Sequence, residues 1–242
     1  MFLRPNRAAY SVFLLSALSI SAFGCSSAPT EDTSTSGDPL TSDPSAVAAG
    51  PTAAQLLAKV TSCNQVSNGK YRSDDETSAT IAVCDKNGAV FWKGDMDVDC
   101  DGLSTSKCNS STDPWYQNDT AFHQSNGQPL NAETLPYVVV PSSSSIWNYK
   151  NYGVQGGSVV AVIYNNKVLY AVVGDTGPTN IIGEASYATA KALGIDPNPE
   201  TGGTDSGVTY IVFKNSKVSP IENHDKATSL GQTLAQQFID NN

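Results

Sequence analysis

The chain carries only two histidines, His123 and His224, and no C-x-x-C pair, which removes the usual frameworks of a zinc site. Gly-x-Ser-x-Gly is also missing, so no nucleophile elbow supports a Ser–His–Asp hydrolase. Basic side chains are scarce: 14 Lys and Arg stand against 23 Asp and Glu, for a formal net charge of −9. That sign disfavours nucleic acid and anionic membrane surfaces as partners and suits a polycation. The apolar run from Val12 to Ile20 is too short to span a bilayer. No internal repeat and no second linker break the remainder.

The N-terminus is organised for export. Arg4 and Arg7 precede that apolar run and small residues follow it, the pattern of a signal peptide over residues 1–24. Ser21-Ala22-Phe23-Gly24-Cys25 resembles a bacterial lipobox, with Cys25 as the lipidated residue and the only expected membrane attachment. Residues 25–50 are Ser, Thr, Pro, Asp and Ala with almost no large apolar side chain, a composition expected of a disordered tether. A single catalytic domain is expected over 51–242, long enough for a real core, in a secreted or outer-membrane-anchored protein. Four cysteines remain there, and in an oxidising compartment two disulfides are expected. Three connectivities exist. Cys63–Cys84 with Cys100–Cys108 is favoured because each closes a short loop.

Periodicity is mainly that of strands. β-branched and apolar runs predict strands near 79–83, 89–92, 137–140, 158–164, 168–173 and 208–213, with a hairpin turning at Asn165-Asn166. Helices are predicted over 53–60, 184–193 and 226–239, the second ended by Gly194. Many short strands with few helices argue for a mainly β fold, a barrel with peripheral helices.

Three features carry chemistry. Asp175 and Glu184 flank a turn between a predicted strand and a predicted helix, with Glu184 expected at the helix N-terminus. Two carboxylates so placed could serve glycosidic cleavage, which in inverting enzymes needs an acid and a base about 6.5–9.5 Å apart. Asp95, Asp97, Asp99 and Asp101 alternate with Met96, Val98 and Cys100, which puts one acidic row on a strand face. Asp97, Asp99, Asp101 and Gly102 also match the first half of a calcium loop, but Cys108 stands where its bidentate Glu belongs, so no metal or cofactor is expected. Stacked like charges are costly without a cation, and a cationic substrate would compensate them. Aromatics concentrate before the pair (Trp92, Trp115, Tyr116, Trp147, Tyr149, Tyr152), as stacking platforms for sugars or as core. His123 reads as a structural or supporting hydrogen bonder.

Several dispersed segments occur in one order: Phe91 to Gly102, Thr120-Ala121-Phe122, Leu135 to Pro141, Gly174-Asp175-Thr176, Gly183-Glu184-Ala185-Ser186 and Val208 to Phe213. Together they resemble the fungal-type chitosanases of glycoside hydrolase family 75, from about Gln55 to Lys214. The resemblance implies a six-stranded double-psi β-barrel and endo-hydrolysis of the β-1,4 bonds of chitosan with inversion. It matches the catalytic pair to Asp175 and Glu184. On this reading Glu184 is the acid and Asp175 the base, and Asp95, Asp97, Asp99, Asp101, Thr176 and Asp205 contact the sugar chain. A monomer is expected. Two rival functions are a lytic transglycosylase-like enzyme acting on peptidoglycan and a non-catalytic carbohydrate-binding lipoprotein.

Overall fold

The structure, a computed structural model, describes residues 50–242. The expected signal peptide, Cys25 and most of the expected tether lie outside the described residues. Among the described residues no helix is long and apolar enough to cross a membrane.

Strands β1 (Asn64–Gln65), β2 (Cys84–Lys86), β3 (Ala89–Asp99), β4 (Tyr137–Pro141), β5 (Val159–Tyr164), β6 (Lys167–Gly177), β7 (Glu184–Ser186) and β8 (Thr204–Phe213) form one sheet in the order β1-β2-β3-β7-β4-β6-β5-β8. An additional antiparallel β3–β8 pairing joins the third strand to the last, closing six strands into a barrel. Closure removes the open edges that a six-stranded sheet would otherwise present. Two pairings are parallel, β3 with β7 and β4 with β6, the crossed connections of the expected double-psi ring. The hairpin β5–β6 turns on Asn165 and Asn166, both at positive φ (45° and 62°), the backbone a two-residue hairpin requires.

Val98, Ala185, Val138 and Val173 align in register across β3, β7, β4 and β6, and all four are fully buried. Each such side chain contributes about 1.5–3 kcal/mol by leaving water, so this row ties four strands to one register. Trp92 stacks on Tyr210 of β8 with ring centroids 5.1 Å apart, and Trp147 meets Trp92 edge-on at 6.5 Å. Those two tryptophans are core, as is Tyr149.

Helix α1 (Ala53–Lys59) starts on a capping box between Thr52 and Gln55. Helix α3 (His224–Asp240) turns Ala227, Gly231, Ala235 and Phe238 inward and packs on β5 and β6. Gly231 is needed there, since a Cβ would sit 2.4 Å from the Tyr170 ring.

Two sequence expectations are corrected. The strand near 79–83 is a loop that touches Tyr71 through a single bridge at Ile81, and pairing begins only at Cys84. The helix expected over 184–193 begins later: α2 is Tyr187–Leu193, and Glu184 to Ser186 are extended as β7. Ser186 is its N-cap, accepting the Thr189 N–H at its Oγ (3.3 Å), so helix formation starts behind it while the three preceding residues pair with β3.

Both disulfides have the favoured connectivity, Cys63–Cys84 across 21 residues and Cys100–Cys108 across 8. Cys63–Cys84 fastens the segment before β1 to β2 beside the barrel. Replacing both of its cysteines by Ser should lower unfolding free energy by about 3 kcal/mol, the loop-entropy value for a span of this size. Denaturant unfolding measures it; a loss below about 0.5 kcal/mol would mean that residues 53–65 are held by packing alone.

Candidate active site

One residue along from the apolar row lies a polar one. Asp97 of β3 is in direct register with Glu184 of β7, and Val139 of β4 with Asp175 of β6. Extending the Val138–Ala185 pair by one residue sets Val139 beside Glu184, so Asp97, Glu184, Val139 and Asp175 share one face of four adjacent strands. Asp175 owes its place to a bulge. The β4–β6 register shifts between Val138 and Val139, so that Gly174 is passed over and Asp175 moves into the row. Only glycine fits at 174, where a Cβ would meet Tyr137 Cβ at 2.6 Å and Leu130 Cδ1 at 2.7 Å.

Gly177 has a different task. A Cβ there would lie 2.7 Å from Glu184 Oε2 and 3.1 Å from Val139 Cγ1. The Glu184 side chain therefore leans across Val139 into space that Gly177 leaves open on β6. Asp175 is two residues back on the same strand, a rise of about 7 Å. The two carboxyl groups are thus near enough for the Glu184 charge to act on Asp175.

The Asp175 carboxyl is buried and held from the backbone: the Ala121 and Thr176 N–H groups both donate to Oδ1 at 2.7 Å. Ala121 is presented by a loop that Thr120 fixes, its Oγ1 donating to Phe122 O and accepting from Leu130 N–H. Burial pushes the Asp175 carboxyl up to about 6, against those two N–H donors, and the charges of Glu184 and Asp119 push the same way. Asp119 itself is exposed and pairs with His123 Nε2 at 2.7 Å, so His123 supports the rim as expected.

The acidic strand face exists as the alternation predicted. Asp95, Asp97 and Asp99 are all buried, opposite the core-facing Met96 and Val98. Asp101 continues it past the strand end, donating its N–H to Asp99 Oδ1 (2.7 Å) and accepting the Gln117 N–H at its own Oδ1 (2.6 Å). Burial and the neighbouring Asp99 charge raise the Asp101 carboxyl well above the usual range. A cleft of about 520 Å³ opens over this face, lined by Asp74, Asp97, Asp101, Trp115, Thr176 and Glu184 among others. Asp95, Asp99 and Asp175 are not among the residues lining it. Asp205 stands apart: it is exposed, in a part of β8 that loops out where the pairing with β3 jumps from Val208 to Thr204.

Residues 96–240 match the model of the fungal chitosanases of glycosyl hydrolase group 75. The chain belongs to that family. Among its relatives in Aspergillus oryzae, endo-chitosanase B is 36% identical over 152 residues, covering 56% of this chain and 63% of the relative. Endo-chitosanase C of the same species is 32% identical over 208 residues, covering 81% and 52%. The endo-chitosanase of Aspergillus fumigatus is 33% identical over 175 residues, covering 65% and 73%. This group 75 chain thus spans 52% and 63% of the two A. oryzae relatives. Among solved structures, the Streptomyces papain inhibitor aligns with a TM-score of 0.31 at 19% identity, over 51% of this chain and 94% of its own.

Several participants in this group 75 site escape sequence reasoning. Ala121 contributes only its backbone, and Gly177 only its lack of a side chain. Asp74 sits in an ordinary acidic run. Of the aromatics, Trp115 alone of the three tryptophans lines the cleft.

A carboxyl whose folded pKa is raised favours the folded state while protonated, and that advantage is lost as pH rises from about 4 through about 6. Asp175→Asn should therefore raise thermal stability at pH 7.5, by an amount on the order of 1–3 kcal/mol, and leave it nearly unchanged at pH 3.5. Equal melting temperatures of variant and wild type at both pH values would contradict the burial cost assigned to this group.

Proposed function

We propose that the cleft binds chitosan and hydrolyses its β-1,4 glucosaminide bonds within the chain, with inversion, using Asp175 and Glu184. The observation that carries this reading is the register row that brings the two carboxylates to one face, close enough for the Glu184 charge to act on the Asp175 carboxyl. The relatives' names support the substrate, each being an endo-chitosanase. The lining supports it too: Asp97 and Asp101 offer carboxyl oxygens to glucosamine ammonium groups, and Trp115 offers an apolar face to a sugar ring.

In the mechanism Glu184 gives its proton to the leaving glycosidic oxygen. Asp97 faces it directly across the parallel pair, and a proton on Glu184 relieves that like-charge contact. Asp175, not itself in the cleft lining but next to the cleft-lining Thr176, would take a proton from an attacking water admitted to its carboxyl. A base with a pKa near 6 is ionised at neutral pH yet more basic than an ordinary carboxylate, and its two N–H donors fix Oδ1 so that the group keeps its orientation. The helix dipole plays no part at Glu184, which lies on a strand. Thr176, next along β6, is a cleft contact for the sugar chain, while Asp205 has no role in this proposal.

The protein works as a secreted monomer on this reading, and its two disulfides support an oxidising compartment. The named relatives are fungal and lend no support to a bacterial lipid anchor at Cys25. A second carboxylate opposite Asp175 favours hydrolysis over the single-acid chemistry of a transglycosylase.

Asp175→Ala and Glu184→Gln should each lower kcat on chitosan by about 10²–10⁴-fold with folding intact. Azide should partly rescue Asp175→Ala alone, and proton NMR of fresh products should show the α anomer. Near-normal turnover in either variant would remove the site, and β products would remove inversion. Gly177→Ala should cost at least about tenfold in kcat by crowding the Glu184 carboxylate, while its melting temperature stays within a few degrees because the Glu184 carboxylate end can swing away and Val139 need give by only a few tenths of an ångström. Unchanged kcat in Gly177→Ala would mean that Glu184 does not work from this position.

A further inference from the structure

The acidic strand holds a second cluster, of which the catalytic reading uses only Asp97. Asp74, Asp95 and Asp97 each bring a carboxylate oxygen within 4.8 Å of the others. Asp95 is only 5% exposed, and its Oδ1 is buried without a hydrogen-bond partner. It does not line the cleft, so a sugar ammonium cannot serve it as it serves Asp97. The carboxyl takes a hydrogen bond from the Asp95 N–H itself, which still leaves Oδ1 without a partner. The companion cluster of Asp99, Asp101 and Asp175 is different. Backbone N–H groups donate to all three of its carboxylates.

The strand opposite is shaped around the orphaned oxygen. Gly183 has φ +129°, and a Cβ there would lie 2.1 Å from Asp95 Oδ1. Any other residue at 183 would close the cradle. Asp74 and Asp97 both line the cleft, which gives an entry path from solvent.

We propose that Asp74, Asp95 and Asp97 bind a calcium ion. Two oxygens on one calcium, each 2.3–2.6 Å from it, lie at most about 5 Å apart, and this cluster is within that limit. Three carboxylates supply up to six oxygens of hard character, and water on the cleft side would complete the shell. The ion would join the 74 loop to β3 at Asp97, the residue in direct register with Glu184. The half-motif Asp97-x-Asp99-x-Asp101-Gly102 is not this site, because its carboxylates fall into the two clusters at successive positions along the same face, Asp97 in one and Asp99 and Asp101 in the other.

The test uses the full chain, stripped with EDTA, dialysed and titrated calorimetrically with calcium chloride, with thermal unfolding in parallel. The expected result is one calcium per chain and a rise in melting temperature. Asp74→Asn, at a half-buried loop position, should weaken binding by at least about tenfold while the protein stays folded, and Asp101→Asn should leave affinity within about threefold. No heat and no thermal shift up to about 10 mM calcium would overturn the proposal. So would wild-type affinity in Asp74→Asn, or loss of binding in Asp101→Asn alone. None of these readouts involves chitosan, so the cation site and the catalytic reading stand or fall separately.

Discussion

The parallel pairing of β3 with β7 is the constraint on which the site depends. It spans three residue pairs, and it closes the ring on one side while fixing Glu184 opposite Asp97. Strand geometry then leaves no choice about faces. If Val98, Ala185, Val138 and Val173 are to be buried, the neighbouring Asp97 and Glu184 must emerge together on the other face. The bulge at Gly174 adds Asp175 to that row. A slip of one residue in β7 would turn Glu184 into the apolar layer, so core packing and the placement of the carboxylate row are enforced by the same register.

The arrangement has an electrostatic cost. Carboxylates from β3, β6 and β7 occupy one partly desolvated face, and the groups most removed from water are raised, Asp95 to about 8 and Asp175 to about 6. In Asp175 the backbone offsets part of that cost through two N–H donors and leaves the group basic enough to accept a proton. In Asp95 only its own N–H is so placed and Oδ1 stays unpartnered, the charge that the proposed cation would compensate. The fold sustains the charge concentration because the closed barrel beneath it is densely apolar, from the Trp92–Tyr210 stack to the valine rows.

Much of this was legible in the sequence. The hairpin at Asn165-Asn166, the Asp alternation of β3 and both disulfides follow from local rules, since turn chemistry, period two and short loop closure act between near neighbours. Topology does not. The β3–β7 pair joins residues more than 80 positions apart, and only the family resemblance pointed to the barrel. The helix boundary at Glu184 was misjudged because helix propensity in Ala185 to Leu193 says nothing of a strand partner; Ser186, a good N-cap, was the available signal. Gly174 and Gly177 stood in plain sight as turn glycines. Their actual roles, passing a bulge and leaving room for a carboxylate, depend on Leu130, Tyr137 and Glu184, which reach them only through the fold.

A crystal structure of Glu184→Gln soaked with a chitosan oligosaccharide tests the central claim most directly. The account predicts a glycosidic oxygen within hydrogen-bond reach of the residue 184 side chain, and a water held by Asp175 on the opposite face of the sugar ring. An oligosaccharide bound away from the Asp97–Glu184–Asp175 row, or one whose anomeric carbon lies beyond reach of either carboxyl group, would contradict it.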